Sequence, residues 1–178
     1  MPKRAPRAGR TKKSIVTIDL DMTVADHRKR LKRACHGGGI DRSVLFSEHL
    51  ILSDKVIAHA PAALRVIRKH HTIIFLSSRT KSVKAVTKRW LKKNKLMTSS
   101  DQLIVVGSEA EKLQHFSRLM PRIYSIIDDF KYDFQSGKPR VSSRVLPHLL
   151  SSDVLVIIFD NNWRRIIKTY FSEAPRQR

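Results

Sequence analysis

Three groups of polar residues sit at the ends of apolar runs, and a lysine opens a fourth segment. Ser14 to Leu20 (SIVTIDL) is β-branched and apolar up to an acidic end, which is how a buried strand reads when a site lies at its C-terminal edge. It delivers Asp19, Asp21 and Thr23. Thr72 to Ser77 (TIIFLS) delivers Ser77, Ser78 and Arg79; Lys112 opens a helical pattern after Leu103 to Val106 (LIVV); Asp128 and Asp129 follow Ile123 to Ile127 (IYSII). Four carboxylates brought together repel one another and shift their pKa values upward unless a cation sits among them. Oxygen ligands suit magnesium, which keeps waters and takes one or two carboxylates plus a substrate phosphate. A lysine beside such a site balances the charge that develops in phosphoryl transfer. One acid at one strand end could simply cap a helix, but agreement among four ends points to a site.

The elements that must position these residues alternate. A fifth apolar run, Val154 to Phe159 (VLVIIF), joins the four above, and helical patterns separate them at roughly Asp54 to Lys69, Lys81 to Lys95, Glu109 to Met120 and Asn161 to Phe171. This rhythm predicts an α/β fold: a three-layer, Rossmann-like arrangement with about five parallel strands and helices on both faces. In such sheets the ligand crevice lies beyond the carboxyl ends of the strands, where the polar residues fall. Residues 24–53 break the rhythm with a basic helix-like stretch, three glycines from Gly37 and a second apolar stretch, and read as an insertion or small cap after the first strand. Lys138, Pro139 and Pro147 predict loop and short helix before the last strand. The expected organisation is a basic arm (1–13), one domain (14–171) and a short basic tail (172–178).

The 178 residues carry 36 Lys and Arg against 15 acids, a formal net charge of +21. Such a molecule attracts polyanions, and RNA or single-stranded nucleic acid, including a large ribonucleoprotein, is the first candidate partner. The basic residues are spread along the chain instead of forming one basic amphipathic segment, which argues against a membrane surface. No apolar run approaches the roughly 20 residues needed to span a bilayer. Cys35 is the single cysteine, so no intrachain disulfide, disulfide-linked partner or cysteine-based zinc site is expected, in keeping with a reducing intracellular compartment. The first 18 residues hold no acid but Lys3, Arg4, Arg7, Arg10, Lys12 and Lys13. An arm lying on phosphates, a nuclear address and a short organellar targeting segment all fit, with the mitochondrial matrix or the nucleus as the expected location.

With these residues in view, the sequence resembles the haloacid dehalogenase superfamily of aspartate-nucleophile phosphohydrolases, over Ser14 to about Phe171. Its four motifs occur in order as IVTIDLDMTVAD, IIFLSSR, Lys112 and SIIDDF. The resemblance implies that Asp19 attacks phosphorus to form an aspartyl-phosphate, while Asp21 protonates the leaving oxygen and later activates water. It further implies that Ser77 and Lys112 hold phosphoryl oxygens, with Thr23, Ser78 and Arg79 around the substrate. Magnesium would be bound by Asp19, the Asp21 backbone carbonyl and Asp128, with Asp129 as ligand or support; Asp133 is expected either to serve beside it or to be a solvated helix residue.

Within the superfamily, LSSRTKSVKAVTKRWLKKNKL looks like the polynucleotide 3′-phosphatase branch, through Arg79, Thr87, Trp90 and Leu91. Met22 stands where Gly is common and Ser78 replaces the Gly of the turn, which puts the fit around the phosphate in question. No GxxxxGK[ST] phosphate loop occurs in these residues, so no kinase half is expected among them. Lys81, Lys84, Lys88, Lys92 and Lys95 recur at helical spacing opposite Val83, Val86 and Trp90, reading either as a cationic stripe for nucleic acid or as a solvated face. His27 to Arg33 (HRKRLKR) is a second basic segment. His70 and His71 read as helix-end residues, Cys35 and His36 lack partners for a metal site, and Trp163 is expected to pack the last helix on the sheet.

Two functions are therefore expected to compete. The first is a magnesium-dependent phosphatase acting on a nucleic-acid or nucleotide phosphate, with polynucleotide 3′-phosphate preferred. The second is a basic structural or assembly subunit of a ribonucleoprotein, such as a ribosome, with little or no catalysis.

Overall fold

The computed structural model describes residues 13–36, 39–130 and 145–172. The basic arm up to residue 12, Gly37, Gly38, Asp133, Lys138, Pro139 and the tail from 173 lie outside the described residues.

Five strands form one parallel sheet: β1 (Ile15–Ile18), β6 (Thr72–Ser77), β7 (Gln102–Val105), β8 (Ile123–Asp128) and β9 (Leu155–Ile158), in the order β7-β6-β1-β8-β9. All five expected strands form, within one or two residues of their expected ends. The first strand is central because both its neighbours, β6 and β8, arrive later in the chain by crossover. Its side chains alternate between faces, as a strand covered on both sides requires. Val16 and Ile18 join a core with Ile73, Phe75, Ile127 and Ile157. Ile15 joins the opposite core with Ile74, Leu76 and Ile126.

Helices cover each face. On the first lie α4 (Ala60–His70), α5 (Lys84–Lys93) and α8 (Trp163–Ile166), anchored by Leu64, Ile67, Trp90 and Trp163; on the second lie α6 (Glu109–Leu119) and α7 (Val145–Leu150), anchored by Phe116, Leu146 and Leu149. Trp163 is fully buried against Phe159, with ring centroids 5.1 Å apart, so it packs the last helix on the sheet as expected. That helix continues as a π-helical turn, Ile167–Phe171. Among the described residues, no helix is long and apolar enough to cross a membrane.

The segment after β1 contains β2 (Ala25–Asp26), α1 (Arg28–Ala34), a two-strand hairpin of β3 (Cys35–His36) and β4 (Gly39–Ile40), α2 (Arg42–Leu45), α3 (Glu48–Ser53) and β5 (Lys55–Val56). Antiparallel pairing of β2 with β5, Ala25 opposite Val56, closes the segment on itself. This corrects the expected helix from Asp54: residues 55–56 spend their hydrogen bonds in β5, and α4 starts only at Ala60. Pro61 follows in its first turn, where a missing N–H costs nothing.

Candidate active site

The sheet register brings the strand ends to one level. Ile18 is paired with Phe75 on β6 and Ile127 on β8, so Asp19 lies beside Asp128 and one strand from Ser77. The Asp19 N–H still donates to the Ile127 carbonyl at 2.9 Å, which fixes its backbone in the sheet. Lys112 enters from the first turn of α6, a helix begun by Ser108, whose hydroxyl accepts from the Glu111 N–H at 3.2 Å. Its ammonium donates to Asp19 Oδ1 and to Asp128 Oδ2, both at 2.6 Å. The other Asp128 oxygen accepts from the Phe130 N–H at 2.9 Å, in a turn that holds Phe130 at φ +50°.

Carboxylate oxygens of Asp19, Asp128 and Asp129 lie within 4.8 Å of one another, and all three side chains are buried. Burial pushes the Asp19 carboxyl well above its ordinary range; Lys112 opposes this, while Asp128, Asp129 and Asp21 add to it. Burial alone would lower the Lys112 ammonium, but Asp128 and Asp19 outweigh it and hold the lysine firmly charged. An all-oxygen donor set of this kind fits a hard divalent cation such as magnesium.

After Asp19 the chain turns tightly. The Leu20 carbonyl accepts from the N–H groups of Thr23, Val24 and Ala25, and Met22 sits at φ +60°. This left-handed conformation is the reason glycine suits that position. Trp163 Nε1 donates to the Thr23 carbonyl at 2.9 Å, pinning the turn to α8. Thr23 itself is fully buried.

The turn carries the Asp21 side chain to a different set of partners from those of Asp19. Arg79 grips it bidentately, Nε to Oδ2 at 2.9 Å and Nη2 to Oδ1 at 2.7 Å, and Arg30 Nη2 donates to Oδ1. Arg30 reaches back with Nε to Asp54 at 2.9 and 3.1 Å and with Nη1 to the Leu45 carbonyl at 3.0 Å. Arg79 Nη1 also donates to Thr87 Oγ1 at 3.1 Å. All four charged groups are buried. Burial would raise the Asp21 carboxyl, but Arg30, Arg79 and then His27 outweigh it and hold it far below the carboxylate range. Burial lowers His27 to about 4 against the pull of Asp21, and raises Asp54 to about 6 against the pull of Arg30.

The structure thus brings Asp19, Lys112, Asp128 and Asp129 together and gathers Asp21 and Arg79 into an adjoining buried ion network. Ser77 is buried at the end of β6, its hydroxyl accepting from the Arg79 N–H at 3.3 Å, and Ser78 is half-buried. Lys81, Lys84, Lys88 and Lys92 are exposed on one side of the 3₁₀ turn Lys81–Val83 and α5, with Val83, Val86, Thr87, Trp90 and Leu91 buried on the other. Cys35 and His36 are exposed in the hairpin.

Sequence reasoning missed Arg30 and Asp54. Each left a signal. Arg30 is four residues before Ala34 and next to Leu31, on the apolar side of an otherwise cationic helix. Asp54 is the only acid between Glu48 and Asp101, and a lone acid in so basic a stretch marks a built pairing.

No protein-family model and no curated protein sequence matches the chain. Solved structures do. The chain is similar to a predicted phosphatase from Clostridium acetobutylicum, with 14% identity, a TM-score of 0.56, and coverage of 89% of this chain and 100% of that one. It is also similar to a haloacid dehalogenase-like family hydrolase from Streptococcus pneumoniae, with 10% identity, a TM-score of 0.58, and coverage of 90% and 100%. At these identities the likeness is one of fold: five parallel strands between two helical layers, arranged as in haloacid dehalogenase-like hydrolases.

Proposed function

We propose that the chain is a magnesium-dependent phosphatase that works through an aspartyl-phosphate on Asp19 and acts on a nucleic-acid or nucleotide phosphate, with a polynucleotide 3′-phosphate as the preferred substrate. The observation that carries this reading is the Lys112 ammonium, 2.6 Å from both Asp19 and Asp128 at the ends of adjacent strands. Attack by an Asp19 oxygen forms the new P–O bond as the bond to the leaving oxygen breaks, and water then cleaves the acyl phosphate. Lys112 orients the nucleophile and offsets charge on the phosphoryl oxygens, and Ser77 supplies a hydroxyl at the same edge. Magnesium held by Asp19, Asp128 and Asp129 would neutralise phosphate charge during transfer.

One observation favours the second reading, a basic subunit of a ribonucleoprotein with little catalysis. Asp21, the group expected to protonate the leaving oxygen, is bound by Arg79 and Arg30.

The deciding experiment measures phosphate release, with magnesium, from 3′-phosphorylated oligonucleotides, nucleotides and small phosphoesters. The phosphatase reading requires release by the wild type and its loss, on the order of 10⁴-fold or more, in Asp19→Asn. Absence of release from every substrate gives the lead to the structural subunit.

A further inference from the structure

The cationic side of α5 begins at the rim of the Asp19 site. Lys81, in the turn that precedes α5, pairs at 2.7 Å with Glu111, the neighbour of Lys112 in the first turn of α6. The helix lies between β6 and β7 in the chain, so it starts at the strand ends that carry the site and runs back along the sheet. Lys84, Lys88 and Lys92 follow at four-residue steps, all exposed, over about 12 Å of helix. Lys81 is offset by Glu111 and Arg89 by Glu48. Lys84, Lys88 and Lys92 form no ion pair among the described residues, so their charge is available to a partner.

Packing makes this face rigid. Trp90 is fully buried and its Nε1 donates to the Asp54 carbonyl at 3.0 Å, while Arg89 pairs with Glu48 on α3. Both contacts fasten the helix to the insertion, and the core that Trp90 shares with Phe75 and Leu103 fastens it to the sheet. A row of ammonium groups on a fixed helix, with a phosphate-type site at its start, matches a ligand that carries a terminal phosphate followed by further phosphates at regular intervals. Compact phosphoesters do not reach along such a row.

We propose that Lys84, Lys88 and Lys92 form the track for a single-stranded polynucleotide whose end lies at Asp19 and Lys112. The proposal deepens the phosphatase reading by naming how its substrate is held, but the track binds by charge alone and can be tested without turnover.

The test is salt-dependent binding of a single-stranded oligonucleotide, with and without a 3′-phosphate, to the full chain carrying Asp19→Asn. Replacing Lys84, Lys88 and Lys92 together by Gln is expected to flatten the slope of log affinity against log salt by about 2 units, since each phosphate contact contributes roughly 0.7 on single strands. Lys88→Gln alone should remove about 0.7. A parallel triple change on α1, Lys29, Lys32 and Arg33 to Gln, should flatten it less. An unchanged slope in the α5 variant overturns the track, as does a larger loss from the α1 variant. Equal weakening of binding to phosphatidylserine vesicles would assign the face to a membrane and overturn it too. If no substrate is ever dephosphorylated while the α5 variant loses its slope, the phosphatase reading fails and the track stands.

Discussion

Arg79 and Asp21, 58 residues apart, form a buried bidentate ion pair close to Asp19, with N–O distances of 2.9 and 2.7 Å. Arg30 adds a third guanidinium contact from the insertion, and Asp54 closes the network behind both arginines. The turn that carries Asp19 is thus tied to the insertion through charge. Removing one partner from a buried pair leaves the other desolvated and uncompensated. Arg79→Ala should destabilise the protein by about 3–5 kcal/mol, read as a lower urea midpoint. A loss under about 1 kcal/mol, the range of exposed pairs, would mean the network is solvated.

Magnesium should stabilise the fold. An ion that binds only the folded state adds RT ln(1 + [L]/Kd), about 2.7 kcal/mol at a hundred times Kd. The melting temperature is expected to rise with magnesium, and Asp129→Asn should shift the response to higher concentration. A response that Asp129→Asn leaves unaltered would place the ion elsewhere.

Acid stability should report on His71, which is buried, accepts or donates at 2.8 Å to the Ser14 hydroxyl and stacks on Tyr124 at 4.5 Å. Burial, with His70 and Lys13 adding, lowers it to about 4. Between pH 4 and about 6.5 the unfolded chain takes up a proton that the folded chain refuses, so this contribution is present above pH 6.5 and lost as pH falls. Asp54, raised to about 6, works in the opposite direction. His71→Phe should therefore lose about 1–3 kcal/mol less than wild type between pH 7 and pH 4.5, measured by urea unfolding. Equal losses in the two proteins would rule the histidine out.

Met22 offers a test of backbone strain. At φ +60° a side chain meets the following carbonyl, at roughly 1–2 kcal/mol, and glycine does not. Comparing Met22→Gly with Met22→Ala removes the larger side chain from both, and Gly should be the more stable by about 1 kcal/mol. The reverse order would show that the turn relaxes in the variants.

How much of this was legible beforehand follows from the range of each interaction. Strands β1, β6, β7, β8 and β9 could be read because a buried strand shows as a short apolar run, and the cationic face of α5 because helical periodicity repeats within a few residues. The convergence of Asp19, Lys112 and Asp128 followed from their common position after strands, since parallel strands bring like ends to one edge. The start of α4 was misplaced because β5 depends on a partner, β2, some 30 residues earlier. The partners of Asp21 were decided only by the tertiary structure. A carboxylate takes whichever cation the fold places against it, and although Arg30 on the apolar side of its helix and Arg79 after its strand each stand out locally, among 36 lysines and arginines nothing local pairs either of them with Asp21. Burial makes that choice, because those two guanidinium groups lose water on folding and are held in place by the acids beside them, together with the Leu45 carbonyl and the Thr87 hydroxyl.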